Sequence, residues 1–561
     1  MQSSYNPQQQ QWWATGDTPV HTDSQAAYLV DGRTAMLTMC HHFLKAQRYI
    51  YIADWGLTAG MEMVRGTDHR AGPDGSPQQE ALLAELRGSG LDEDAIAFWC
   101  SHDLSVQAVL GYAASKGVEV KVLIWKGSPV FPSCDVEASH KELTEVGVAC
   151  LLDNSSFGIL HHPAESLHQK CAVVDGNTAF VGGIDLLIEL SGEFDRWDTH
   201  FHPFATPLRT NHKCETPHGW HDAHTLIQGP AAEDVELNFR QRWNYVVTHH
   251  HLDETLLVPI HEPTQPLQSQ SVMQIARTIP EHTYNFEPKV IRGIAQLYAH
   301  ALHNIQHFVY LENQYLWLRA YTGIDISMLG YDSEEMEHNL NELREALRRG
   351  ASMTIILPDH PNVGRAFSDA GLHKLRTEAP EAVEEGRLHA FTLATSDMQD
   401  GKMHYRPVYV HAKVAIVDDV WSTVGSGNLN NRGMRDDVEM NVGILDSWLA
   451  RNLRLMLQAE HTGLVSDEDL FILSRMLGKQ YLSTAEQPRA TNILKYIEQS
   501  LGDEQRAMQT MHDHAWANLQ RYKAGQPLVG HLLPYLTAEE AVAQGLNFRE
   551  DVGWIEEEEE K

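Results

Sequence analysis

Basic residues are scarce in this chain: 43 Lys and Arg stand against 76 Asp and Glu, a formal charge of −33. Nucleic-acid affinity rests largely on Lys and Arg neutralising phosphates, so no nucleic-acid partner is expected. Cysteine is scarce too, six in 561 residues. Cys40, Cys100, Cys134, Cys150, Cys171 and Cys214 are scattered, with no C-x-x-C pair, so zinc-site spacing is absent. They read as reduced and mostly structural. No run of about 18 apolar residues occurs, so no transmembrane helix is expected. The N-terminal stretch MQSSYNPQQQQWWATGD has neither a basic n-region nor an apolar h-region, and no cleaved signal peptide is expected.

What is present is a globular composition, 42% hydrophobic, at a length that implies two or three domains. Residues 1–24 are polar and Gln-rich and read as a flexible arm. Helical spacing at Ala35–Ala46 precedes a strand at Arg48–Trp55; a helix at Ser105–Lys116 precedes a strand at Val118–Trp125. Further strands are expected within Ile159–Asp175 and at Ala179–Val181. The rhythm returns with a helix over Val290–Ile305 and a strand over His307–Glu312. A helix over Ser333–Arg349, a strand over Met353–Leu357 and a strand over Val408–Val417 follow. The pattern predicts an α/β protein of two similar lobes, each a mixed β-sheet flanked by helices, over 25–262 and 263–484. A Pro-bearing linker is expected at His251–Gln270. A helical extension with a capping box at Thr537 and Glu540 occupies 485–561, ending in the acidic block Glu556–Glu560. The run His249-His250-His251 reads as an incidental loop.

One pattern occurs twice. SLHQKCAVVD places His168, Lys170 and Asp175 in H-x-K-x-x-x-x-D; VHAKVAIVD places His411, Lys413 and Asp418 in the same frame. Seven positions after each Asp a small-residue turn begins, at Gly182-Gly183 and at Gly425-Ser426-Gly427-Asn428. On a strand, residues i and i+2 project together. Two such halves facing each other would present two imidazoles and two ammonium groups to one phosphate. The lysines would stabilise charge spread over phosphoryl oxygens. One imidazole would attack phosphorus while the other protonates the leaving alkoxide and then activates the incoming nucleophile. No metal is required, because the lysines supply the positive charge.

The two motifs resemble the HKD motifs of the phospholipase D superfamily. Gly182-Gly183-Ile184-Asp185-Leu186, Arg196-Trp197-Asp198-Thr199 with His202-Pro203, and Trp220-His221-Asp222 with His224 resemble segments of its eukaryotic-type members. So do Gly229-Pro230-Ala231, Gln241-Arg242-Trp243 and Leu311-Glu312-Asn313-Gln314-Tyr315. The likeness covers about residues 25–465 and is closest to the compact bacterial form of these enzymes. Gly433 stands where the family has a serine after Arg432.

The resemblance implies two lobes related by a pseudo-twofold axis with one site between them. It implies a phospholipase D that releases phosphatidate and a free head group through a phosphohistidine, with transfer to added alcohols. His168 would be the nucleophile and His411 the general acid, then base; the sequence alone leaves the reverse open. Lys170 and Lys413 would bind phosphate oxygens, Asn428 and Asp185 would line the pocket, and Asp175 and Asp418 would hold strand ends and the lysine network. Asp198, 30 positions after His168, and Glu439, 28 after His411, would orient the imidazoles. The partner is a glycerophospholipid at a membrane surface. No cofactor is required, and calcium would help only by bridging an acidic protein to anionic lipid. The chain is expected to be cytoplasmic, or exported without a cleaved signal, and peripheral at membranes. In the exported case it would be an antibacterial or host-directed effector of a contact-dependent secretion machine, such as type VI, with an immunity or secretion partner protein. A phosphatidyltransferase or other phosphodiesterase is the alternative among enzymes, and a lipid-binding delivery module the alternative outside them.

Overall fold

In the computed structural model, residues 12–70, 77–127, 134–157, 161, 165–209, 217–286, 288–319, 333–361, 363–550 and 552–555 are described. Cys214, Ile159 and the Glu556–Glu560 block lie outside them. The other five cysteines are free thiols.

Two sheets carry the fold. The first comprises β1 (Gln25–Val30), β2 (Tyr49–Asp54), β3 (Glu119–Trp125), β4 (Ala149–Asp153), β5 (Cys171–Val174), β6 (Thr178–Gly182) and β7 (Ala223–Gln228). Their order is β1-β7-β6-β5-β2-β3-β4. The second is built on β8 (Val272–Ile279), β9 (Phe308–Asn313), β10 (Ser352–Ile356), β11 (Leu388–Gln399), β12 (Lys413–Val417), β13 (Trp421–Gly425) and β14 (Glu439–Leu445). Its central order, β8-β14-β13-β12-β9-β10-β11, repeats the first position by position. In both, the β2–β3–β4 and β9–β10–β11 contacts are parallel and the rest antiparallel. The mixed α/β architecture of two like halves is thus as the sequence pattern predicts.

Chemistry explains the central strands. YIYIAD of β2 and FVYLEN of β9 are rich in β-branched and aromatic residues and are buried along their whole length, as strands covered on both faces must be. The helices Asp31–Lys45 and Gly293–His303 follow β1 and β8 and cover equivalent faces. One apolar cluster joins the halves: Val173, Val181 and Tyr28 of the first sheet pack with Val414, Val424 and Val442 of the second.

One expectation needs correction. Residues 12–24 are not a flexible arm. Trp13 is buried, Trp12 stacks on Trp421 with centroids 6.1 Å apart, and Arg277 Nε donates to Asp17 Oδ2 at 2.9 Å. His21 and Met273 exchange backbone hydrogen bonds of 2.8 and 2.9 Å, an antiparallel bridge that ties the segment to β8. The low hydropathy of this segment hid two tryptophans that cover the second sheet. The helical extension beyond 485 is present and also carries one short strand. Helices Glu486–Leu501 and Glu504–Lys523 are followed by a strand, Leu532–Pro534, that joins β11 antiparallel. The capping box at Thr537 and Glu540 is present. Residues 257–270 carry neither helix nor strand. No helix among the described residues is long and apolar enough to cross a membrane.

Candidate active site

Each motif aspartate stands at one end of its strand and each motif histidine at the other. Asp175 accepts the backbone N–H groups of Gln47, Arg48 and Tyr49 at 2.9, 2.7 and 3.1 Å. Asp418 accepts those of Gln306, His307 and Phe308 at 2.8, 2.8 and 2.7 Å. Both take a left-handed conformation, φ 53°, which Asp tolerates better than most residues. They start β2 and β9 at the correct register, roughly 16 Å of strand away from the lysines. They brace strand ends, and the expected link to the lysine network is not among their contacts.

At the other end the halves meet in a crossed arrangement. Leu167 bridges Val438, and Val410 pairs with His221, both in parallel. The next residue on each segment is then a histidine facing a carboxylate. His168 Nδ1 lies 3.0 and 3.1 Å from Glu439 Oε1 and Oε2. His411 Nδ1 lies 2.6 Å from Asp222 Oδ2. A carboxylate from each half thus fixes the imidazole of the other, with Nδ1 as the donor and Nε2 left as the reactive nitrogen. The ring centroids are 6.1 Å apart, so both Nε2 atoms can approach one phosphoryl group at about 3–3.5 Å. Trp55 meets the His168 ring edge-on at 5.8 Å, and Trp220 lies 4.7 Å from the His411 ring.

Asp198 does not orient an imidazole of the motifs. It is fully buried and holds His202 Nδ1 at 3.0 Å, Arg209 Nη1 at 3.1 Å and the Trp220 N–H at 2.9 Å. The residue that plays the expected part is Asp222. Sheet register shows the equivalence. Gly182 pairs with His224 and Gly425 with Asn441; Asp222 and Glu439 each stand two residues before those partners. A Cβ on Gly183 would meet Asp222 Oδ1 at 2.1 Å, so the second glycine of the first turn makes room for this carboxylate.

The lysines differ in their surroundings. Lys170 Nζ donates to the His168 carbonyl at 2.9 Å and pairs with Asp185 Oδ1 at 3.2 Å. Lys413 Nζ donates to the His411 carbonyl and to Gln314 Oε1, the latter at 3.2 Å; Asn428 Nδ2 donates to the same oxygen at 3.1 Å. Asp54 and Asn313 end β2 and β9 and accept the N–H groups of Leu186 and Leu429 at 3.1 and 3.0 Å. The first half therefore surrounds its lysine with carboxylates, the second with amides. Gln314 and Asp54 carry no signal in the motif spacing; Gln314 lies in a segment quoted only for its likeness. Gly433 is explained by contact: a Cβ there would meet the Asn428 backbone at 2.2 Å.

Burial lowers the pKa of both motif imidazoles well below their ordinary value, and the two lysines add to it. Burial brings Lys413 down to about 7; the Asp222 charge opposes the shift and Lys170 reinforces it. Burial and the neighbouring Asp437 push Glu439 up. A buried cluster of two lysines and two imidazoles shifted towards their neutral form is poised for an anion. The anion would restore the charge that desolvation suppresses.

A family model described as phospholipase D matches residues 97–326, and one described as cardiolipin synthase, PLD-like domain, matches 318–459. Phospholipase D beta 2 of Arabidopsis thaliana is 24% identical over 569 residues, covering 78% of this chain and 57% of that protein. Phospholipase D A of Dictyostelium discoideum is 24% identical over 420 residues, covering 63% of this chain and 31% of that protein. The chain thus spans less than two thirds of the length of these relatives. Phosphatidylserine synthase of Haemophilus influenzae superposes with a TM-score of 0.44 at 12% identity, over 84% of this chain and 92% of that one.

Proposed function

Since the chain belongs to the phospholipase D superfamily, we propose that it hydrolyses the distal phosphodiester of glycerophospholipids at a membrane surface. The observation that carries this reading is the crossed pairing of His168 with Glu439 and His411 with Asp222 around two lysines.

His168 Nε2 attacks phosphorus, the bond from phosphorus to the head-group oxygen breaks, and a phosphatidyl–histidine forms. His411, made cationic when the phosphate anion offsets the lysines, gives its Nε2 proton to the departing alkoxide. Neutral again, it takes a proton from water, which displaces His168 and releases phosphatidate. Glu439 and Asp222 hold the rings and favour their cationic forms. Lys170, Lys413 and Asn428 contact the non-bridging oxygens, and Asp185 positions Lys170. Both chemical steps use charge from this chain's own side chains; calcium acts only at the lipid surface.

The test is head-group release from a panel of phospholipids, with and without ethanol. Phosphatidate in water and phosphatidylethanol in ethanol are expected from a shared covalent intermediate. Head-group release that yields neither product would refute the reading.

A further inference from the structure

The two lysines meet different neighbours at equivalent places, and one buried side chain outside the catalytic steps answers that difference. Asp185 stands three positions after Gly182, and Asn428 three after Gly425. The next residues, Leu186 and Leu429, make matching parallel bridges to Leu57 and Leu316. Asp54 and Asn313 end the matched strands β2 and β9. The half that holds Lys413 thus has amides at both places, and the half that holds Lys170 has carboxyl groups. Burial and the Asp185 charge push the Asp54 carboxyl well up, so the two carboxyls together hold one negative charge near neutral pH. Lys413 gives its hydrogen bonds to neutral oxygens, of the His411 carbonyl and Gln314. Lys170 instead lies 3.2 Å from the buried Asp185 carboxylate. Left alone with it, the ammonium would be neutralised and drawn away from a phosphate.

Arg196 supplies a second cation to that carboxylate. It is 2% exposed, and its Nε lies 3.7 Å from Asp185 Oδ2, while Lys170 pairs with Oδ1. Nε and Nη1 make no hydrogen bond. The contact with Asp185 is therefore one of charge, and the carboxylate is shared between two cations. Nη2 is held by Glu189 Oε1 at the guanidinium's other edge. The Glu189 side chain is 17% exposed against 1% for Asp185, so solvent screens Glu189 more and Asp185 less. The guanidinium lies 3.6 Å from the centre of the Trp220 ring, which packs against His411 at 4.7 Å. Arg196 lies in residues 183–222, which join β6 to β7; the shorter 426–438 joins β13 to β14. The insertion that displaces Asp222 along the sequence thus also brings in a cation for the half that carries the carboxyl groups.

We propose, on the reading that the two lysines bind a phosphodiester, that Arg196 is a positioning residue of the phosphate site. By sharing Asp185 it leaves Lys170 available to the phosphoryl oxygens. It is needed only because its half carries Asp185 where the other carries Asn428, so removing the carboxylate should remove the need for the arginine.

The test is a double-mutant cycle on the full chain: Arg196→Met, Asp185→Asn and the two together, with folding checked by circular dichroism. The first readout is the dissociation constant for inorganic phosphate, the second kcat/KM on a soluble phosphodiester. Arg196→Met should weaken phosphate binding by about tenfold and lower kcat/KM in parallel. Adding Asp185→Asn should bring binding back by at least about threefold over Arg196→Met alone. A role confined to packing would give no such return. A smaller return, or a loss of less than about threefold in Arg196→Met, would overturn the proposal. Should Arg196→Met not fold, Arg196→Lys decides, because it keeps a cation beside Asp185: phosphate binding within about tenfold of the wild type is expected, and a larger loss would overturn it. Phosphate binding is read without turnover. A wild type that binds phosphate and releases no head group would therefore refute the hydrolytic reading and leave the cycle to decide this one. A wild type with no measurable phosphate binding would overturn this one whatever its activity.

Discussion

Glu439 and Asp222 occupy the same place in the two sheets, and each reaches across to the imidazole of the opposite half, at 3.0 and 2.6 Å. Neither half supplies the carboxylate for its own motif histidine. The site exists only where the halves meet, and each pair is set by one parallel bridge, Leu167 to Val438 or Val410 to His221. Glu439→Gln and Asp222→Asn should each lower kcat on a soluble phosphodiester by about 10²–10⁴-fold, as loss of an orienting carboxylate does elsewhere. KM should change little, and the circular dichroism should be that of the wild type. Asp198→Asn should instead lower the unfolding midpoint, because Asp198 holds Arg209 and His202.

Asp175→Ala and Asp418→Ala should be stability variants. Each loses three backbone N–H partners and a residue suited to its left-handed backbone. A loss of about 1–3 kcal/mol each is expected in urea denaturation. The folded fraction should keep kcat within about threefold, since the chemistry lies roughly 16 Å off along the strand.

Lys413 sits near neutrality, at about 7, because burial disfavours its charge. In the free enzyme it is cationic below that value and neutral above it, so phosphodiester binding should weaken as pH rises. KM for a soluble substrate should climb above pH 7 by up to about tenfold per unit, while kcat, measured with phosphate bound, moves less. Lys413→Arg should flatten the KM profile, because guanidinium stays charged. A wild-type KM independent of pH from 6 to about 9 would contradict the assignment.

Trp13 is buried beside the second sheet and Trp12 stacks on Trp421. Trp13→Ala should cost about 3–5 kcal/mol, read as a lowered urea midpoint. Cleavage of the folded wild type between residues 12 and 24 by dilute protease should be slow, as expected for a packed segment.

The sequence made the repeat legible because chemistry constrained it: His, Lys, Asp and the glycine turn keep their spacing in both halves. The central strands were legible for the same reason that they are central, since YIYIAD and HFVYLE leave no alternative to burial. Asp222 was hidden by an insertion. It lies 54 positions after His168, whereas Glu439 lies 28 after His411. The extra chain, between β6 and β7, holds Asp198 at the misleading offset of 30. Only the register of Gly182 with His224 and Gly425 with Asn441 reveals the true equivalence. β1, β4, β7, β8, β11, β13 and β14 lie outside the expected strands, because no run of β-branched and aromatic residues bounded by turn signals sets them apart. Trp12 and Trp13 escaped because the surrounding glutamines set the local average.

The most direct test of a shared site is to trap its covalent intermediate. A slow-turnover soluble phosphodiester would be mixed with enzyme and quenched at alkaline pH, where phosphohistidine persists, and the peptides mapped by mass spectrometry. The expected result is one phosphorylated or phosphatidylated residue, His168, with the adduct absent from His168→Ala and slowly hydrolysed in His411→Ala. An adduct on His411 would reverse the roles, and turnover with no adduct on either histidine would contradict a double-displacement reaction between the two halves.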